Sequence, residues 1–148
     1  MDEPLVPTDQ REWERGFPAS ITTDSIWNLQ AYRTALFLLD HARGDIRAGA
    51  KRGLYHQLAA QLLQSVASIS ANISEGYSRA TRADRLRIFG YALGSLREAV
   101  SWYRAATDFL SPGAADHRLD VIAQIRRLLL GLIRSTRARG PQRREFEP

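Results

Sequence analysis

The residues of this chain best equipped for chemistry are arginines at close spacing. Arg79, Arg82, Arg85 and Arg87 fall within nine positions, and Arg126, Arg127, Arg134 and Arg137 within twelve. A guanidinium is a planar, permanently charged fork that matches two oxygens of one phosphate. Set along a helix, such forks neutralise a nucleic-acid backbone and release its counterions. Arg82 and Arg85 are three apart and share a helical face, with Arg79 in the turn before them. They stand at a helix start, where the macrodipole disfavours cations, and that placement favours a functional role. Arg127 and Arg134 are a heptad apart, as are Arg97 and Arg104, and Arg139, Arg143 and Arg144 carry the basic character into the C-terminal tail. The plain alternative is a solvated surface with local pairs. Arg104 and Asp108, at i and i+4, would contribute a few tenths of a kcal/mol, roughly 0.2–0.5.

Nothing else in the sequence has the spacing of a catalytic centre. Asn72, Glu75 and Glu98 read as groups that tie helix ends to neighbouring arginines. Ser65, Ser68, Ser70 and Ser74 have no histidine near them in sequence to act as a base. His41, His56 and His117 lie on separate segments without an i, i+4 ligand pair, so no metal site is expected. Gly76, Gly90 and Gly94 do not form a phosphate-binding strand–loop–helix signature. The chain has no cysteine, which excludes disulfides, thiolate metal sites and thiol nucleophiles. No catalytic residue, metal or cofactor is expected.

Four helical segments must position the arginines. The first runs from a cap at Asp24 to about Arg43, with Leu29, Tyr32, Leu36 and Leu39 on one face. Gly44, Gly49 and Gly53 read as a connecting loop. The second covers about Leu54 to Glu75, striped by Leu54, Leu58, Leu62, Val66, Ile69 and Ile73, with Gly76 as its C-cap. The third starts after Thr81, with Asp84 in its first turn. Its seam is Leu86, Phe89, Leu93, Leu96, Val100 and Tyr103, and Gly90 and Gly94 invite close approach of a neighbouring helix. The fourth follows Pro112-Gly113 and runs from Ala114 to Arg137 on Ile122, Ile125, Leu129 and Leu132. No stretch alternates with period two. The expected fold is all-α, an antiparallel up-down four-helix bundle over residues 24–138. It sits between a flexible N-terminal arm, 1–23, part of which Trp13 and Phe17 can dock, and a basic tail, 139–148.

Charge divides the chain unevenly. Residues 1–75 hold seven Lys/Arg and nine Asp/Glu, a net of −2, and residues 76–148 hold fourteen and seven, a net of +7. That asymmetry points to an anionic partner, RNA or DNA. All but one of the basic residues are arginine, a composition that coding bias alone also produces. No apolar run approaches the roughly 20 residues of a membrane span. The acidic, proline-broken start lacks the pattern of a signal peptide. A cytoplasmic protein without membrane contact is expected. Helices three and four carry more apolar positions than one core needs, among them Ile88, Tyr91, Ala92, Ala99, Trp102, Val121, Leu128, Leu130 and Ile133. That surplus predicts self-association.

The passage Ala71-Asn72-Ile73-Ser74-Glu75-Gly76-Tyr77, with Arg79 after it, then Phe89 and Tyr91-Ala92-Leu93-Gly94-Ser95-Leu96-Arg97-Glu98, resembles a family of bacterial four-helix bundle proteins. That family includes the proteins encoded in intervening sequences of 23S ribosomal RNA genes. It also includes the accessory variability determinant proteins of diversity-generating retroelements. The resemblance spans about residues 25–137, and Leu128 to Ser135 looks like the family's final helix. Ala71 stands where the family often has Ser, and Ser78 where Gly is common. The resemblance implies an up-down protomer, a homopentameric ring with a basic face and, for the retroelement members, contact with a reverse transcriptase and nucleic acid. Together these readings give a non-enzymatic, oligomeric accessory protein. Its arginines bind nucleic acid, RNA or DNA, or a ribonucleoprotein, and its most specific form assists a reverse transcriptase. The alternative is a scaffold for protein partners that binds no nucleic acid.

Overall fold

The computed structural model describes residues 6–139. Among them are six α-helices, two short 3-10 turns and no strand. α1 (Gln10–Glu14) and α2 (Ala19–Thr22) are short, and a 3-10 turn, Ser25–Asn28, follows them. Four long helices come next: α3 (Gln30–Ala50), α4 (His56–Ser78), α5 (Arg82–Ala106) and α6 (Ala114–Ala138), with a second 3-10 turn, Thr107–Phe109, after α5. α4 and α6 each pack against both α3 and α5, so the long helices surround one core. None is long and apolar enough, among the described residues, to cross a membrane.

The α4 stripe is buried as its spacing predicts, from Leu58 and Leu62 through Val66, Ile69 and Ile73. Full burial of each such side chain contributes about 1.5–3 kcal/mol. α6 likewise buries Ile122, Ile125 and Leu129, joined by Val121 and Ile133. α3 and α5 are turned relative to the faces read from sequence. In α3 the covered positions include Ala31, Thr34, Ala35, Phe37, Leu38 and Ala42, while Leu29, Tyr32, Leu36 and Leu39 are only half-buried. α5 buries Ala92, Ala99 and Ala106, one per heptad, beside Ile88, Phe89, Leu96 and Tyr103. Leu86 and Leu93 are half-buried and Val100 is 39% exposed. Small side chains won the inner position because they let helices approach closely, a benefit that a count of large apolar residues misses. Much of the apolar surplus is thereby absorbed within the protomer: Ile88, Ala92, Ala99, Val121 and Ile133 are all core residues.

Helix ends also differ from the sequence reading. Asp24 caps the 3-10 turn, its carboxylate accepting from the Ile26 N–H at 3.0 Å, and not a long helix. α3 runs through Gly44 and Gly49, and of these three glycines Gly53 alone, at φ +91°, takes the left-handed turn conformation. Gly76 lies inside α4 and caps nothing. A Cβ there would come within 2.6 Å of the Phe89 ring, so the glycine exists to seat that ring. Thr81 does cap α5, its Oγ1 accepting from the Asp84 N–H at 3.2 Å. Gly90 and Gly94 have nothing within 4 Å of an added Cβ, so no helix of this protomer uses them for close approach.

The N-terminal segment, expected as a flexible arm over residues 1–23, is folded against α3 from Val6 onward. Trp13 is buried, and its Nε1–H donates to Asp40 Oδ2 at 2.9 Å. Its ring meets Phe17 and Phe37 edge-on at 4.5 and 5.4 Å. Gln10 exchanges hydrogen bonds with Thr34 at 3.1 and 3.2 Å, and Glu14 pairs with Arg33 at 3.1 Å. Aromatic burial plus three polar ties outweigh the prolines that made this stretch read as an arm. Most of the expected tail, from Gly140 on, lies outside the described residues.

Candidate nucleic-acid interface

The two arginine sets differ in what their side chains hold. In the first set every guanidinium has an internal partner. Arg79, at the end of α4, pairs with Glu75 one turn back, as expected for a group that ties a helix end. Arg85 Nε donates to the Arg79 carbonyl oxygen at 2.7 Å and closes the α4–α5 turn. Arg87 bonds Asp84 and the Tyr91 hydroxyl, each at 3.2 Å, with its guanidinium 5.6 Å from the Tyr91 ring centroid. The hydroxyl and carboxylate beside it hold its pKa above the usual arginine value. Arg82 reaches across to α6 and donates from Nη1 to the Arg139 carbonyl oxygen at 2.8 Å and to that of Arg137 at 3.4 Å. Its charge therefore meets the negative end of a neighbouring helix dipole, where a cation is favoured.

The second set is free. Arg126, Arg127, Arg134 and Arg137 are exposed, and their side chains have no hydrogen-bond or ion-pair partner among the described residues. The α6 residues Ile122, Ile125 and Leu129 face the core, which turns Arg127 and Arg134 to the far side of the helix. Arg126 and Arg137 are three turns apart in a second row, about 16 Å along the axis at 1.5 Å per residue. Arg97 and Arg104 on the neighbouring α5 are exposed too, and the Arg104–Asp108 pair allowed by spacing does not form. The Arg82 contact brings one member of the first set beside the end of the second.

A polar network that sequence spacing does not show lies inside the bundle. Arg118 of α6 grips Asp45 of α3 with two parallel bonds, Nε to Oδ2 and Nη2 to Oδ1, both 2.9 Å. The Tyr103 hydroxyl of α5 donates to the same Oδ2 at 3.0 Å. Burial, then the Asp45 carboxylate, push the Tyr103 pKa well up. His41 and His117, far apart in sequence, meet with ring centroids 5.2 Å apart, and Arg118 Nη1 lies 2.6 Å from His117 Nδ1. Burial first, then Arg118, lower the pKa of both, that of His41 to about 4. The signal for this cluster was Asp45, an acid on the inner side of α3 once that helix is turned to its true face. No group of three or more His, Asp or Glu able to hold a metal occurs among the described residues. The serines are engaged locally: Ser65, Ser68, Ser70 and Ser74 each donate to a carbonyl of their own helix. Tyr77 ties the end of α4 to the N-terminal segment through Ser25 Oγ at 2.7 Å. An open groove of about 450 Å³, lined by Trp13, Phe17, Ile21 and Asp40 among others, lies beside the N-terminal segment and includes none of the arginines above.

A family model described as 23S rRNA-intervening sequence protein matches residues 29–131. A crystal structure of a protein with unknown function from the S23 ribosomal protein family, from Bacteroides thetaiotaomicron, superposes with a TM-score of 0.65 at 21% identity. The alignment covers 70% of this chain and 97% of that one, and at such identity the likeness is one of fold. No curated protein matches the chain. The folded N-terminal segment, up to Asn28, precedes the matched region.

Proposed function

The chain belongs to the 23S rRNA-intervening sequence protein family, and from that premise we propose that it is a non-enzymatic RNA-binding protein whose contact surface is the outer face of α6. The observation that carries the reading is the contrast between the arginine sets. Four guanidiniums on α6 have no internal task, whereas those of the α4–α5 turn are committed to the fold. Four unpaired cations in two rows along one rigid helix meet the requirement for phosphate contact. RNA is preferred to DNA because of the family's rRNA association. The reading does not extend to a reverse transcriptase, since the matching family model is that of the intervening-sequence proteins. A non-enzymatic role is supported by serine hydroxyls bonded to their own helices and by the burial of His41 beside His117.

The proposal includes an up-down antiparallel order of the long helices and self-association into a ring. Short links between successive helices support the first, as does the Arg82 contact, which sets the start of α5 beside the end of α6. The second is supported by Val100 and Tyr91, 39% and 53% exposed, on the helix that also bares Gly90 and Gly94.

Binding of labelled RNA at several salt concentrations tests the function. Four phosphates neutralised give a log–log slope of about −3 to −4. Replacing Arg126, Arg127, Arg134 and Arg137 together by Gln should flatten it. No binding near physiological salt, or a slope unchanged in that variant, would overturn the reading and leave a protein-interaction scaffold.

A further inference from the structure

Resting on the reading above, we infer that the α6 face takes base-paired RNA through its phosphates and reads neither single-stranded bases nor sequence. Proteins that hold single strands without sequence preference combine basic grooves with aromatic platforms, each stacked base contributing roughly 1–3 kcal/mol. The α6 face has no such platform. The helix contains no Phe, Tyr or Trp over its whole length, Ala114–Ala138. The strongly exposed aromatics among the described residues are Tyr55 and Tyr91. Tyr55 lies edge-on to Phe109, beside the α3–α4 turn. Tyr91 is engaged by Arg87, and at about 100° per residue it sits roughly 120° around α5 from Arg97. A base approaching the free arginines meets guanidiniums and aliphatic carbon.

Without an aromatic platform the main remaining attraction is that of guanidinium for phosphate, and it favours the duplex. A double helix carries one charge per roughly 1.7 Å of axis, so the two arginine rows lie against a dense line of phosphates from two strands. Counterion release scales as about 0.9 per contact on a duplex and about 0.7 on a single strand. Four contacts then give slopes of about −3.6 and −2.8. With other terms equal, the difference amounts to roughly a fivefold preference for the duplex at 0.15 M salt. Contacts to phosphates position a protein on its target without carrying sequence information, so permuting base pairs should change little.

The test is fluorescence anisotropy with the full chain, using a 20-base-pair RNA hairpin, a hairpin of permuted sequence and a 20-nucleotide oligouridine. The expected result at 0.15 M salt is a hairpin bound about fivefold more tightly than oligouridine, with permutation changing affinity less than twofold. Oligouridine bound as tightly as the hairpin, or a tenfold effect of permutation, would overturn the duplex inference while leaving RNA binding by α6 intact. Failure of all three RNAs to bind would instead remove the reading on which it rests. The Arg126, Arg127, Arg134 and Arg137 to Gln variant, checked for folding by circular dichroism, should lose the hairpin preference. Its retention would assign the preference to another surface and overturn the inference.

Discussion

Arg82, the first residue of α5, donates to the carbonyl oxygen of Arg139, just past the end of α6, at 2.8 Å. An arginine that stands against the dipole of its own helix is thus placed on the favourable pole of its neighbour. The contact joins the two arginine sets and separates their tasks.

Arg82→Gln should lower stability by a few tenths to about 1 kcal/mol, the range for a cation at an exposed helix C-terminus. The RNA salt slope should barely change. Urea denaturation together with salt-dependent binding checks both. A flattened slope with unchanged stability would assign Arg82 to the RNA surface instead.

The Asp45–Arg118 pair predicts a sharper asymmetry. Asp45→Ala strands a buried guanidinium and should destabilise by about 3–5 kcal/mol. Exchanging both partners for apolar residues of similar volume should cost much less, because the charges then vanish together. Tyr103→Phe removes one donor and should cost about 1–2 kcal/mol, with the pair still intact. Urea midpoints of the three variants rank these outcomes. Equal losses for Asp45→Ala and the double replacement would show that the pair is not desolvated as described.

His41 makes the fold sensitive to acid. Its pKa in the folded protein is lowered to about 4 by burial and by Arg118, while the unfolded value is near 6.5, so folding favours the neutral ring. Stability is complete above pH 6.5 and falls with pH until the folded pKa is passed, where the loss levels off. His117 shifts in the same direction from the same causes and adds to the slope. At 1.36 kcal/mol per pKa unit the loss from His41 is of the order of 2–3 kcal/mol by pH 4.5, with screening by the exposed part of its surroundings reducing it. His41 is buried against Phe37, on whose ring Trp13 of the N-terminal segment packs, so that segment should loosen first. Urea unfolding at pH 7 and pH 4.5 should show a smaller acid loss in His41→Phe than in the natural chain. Identical losses would place the acid sensitivity elsewhere.

How much of this was legible in sequence depended on how local each signal is. The α4 stripe, the Thr81 cap and the extent of α6 follow from spacing alone, and all three stand. The turned faces of α3 and α5 did not, because alanine is silent in a count of large apolar residues yet decides how near two helices come. Gly76 was misread for a related reason: its partner, Phe89, lies on the next helix, and a glycine near a helix end looks the same whether it turns the chain or seats a ring. The arginine sets were visible, but their division was not. Whether a guanidinium is free depends on carbonyls and carboxylates brought near it by other elements, as Arg82 shows. His41, Asp45, His117 and Arg118 come together only through the packing of α3 on α6.

Gly90 and Gly94 offer the last prediction, since they are costly where they stand. A glycine within a helix is less stable than alanine by about 0.5–1 kcal/mol, and nothing in the protomer lies within 4 Å of a Cβ added at either position. Gly90→Ala with Gly94→Ala should therefore raise the stability of the isolated protomer by about 1–2 kcal/mol. If the proposed ring packs a second copy against the Gly90–Gly94 face, the same methyl groups should weaken association. Light scattering against concentration separates the effects. A more stable chain with weaker assembly places the interface on α5. A more stable chain that assembles as before moves it to another face, and a monomer in both cases removes the ring.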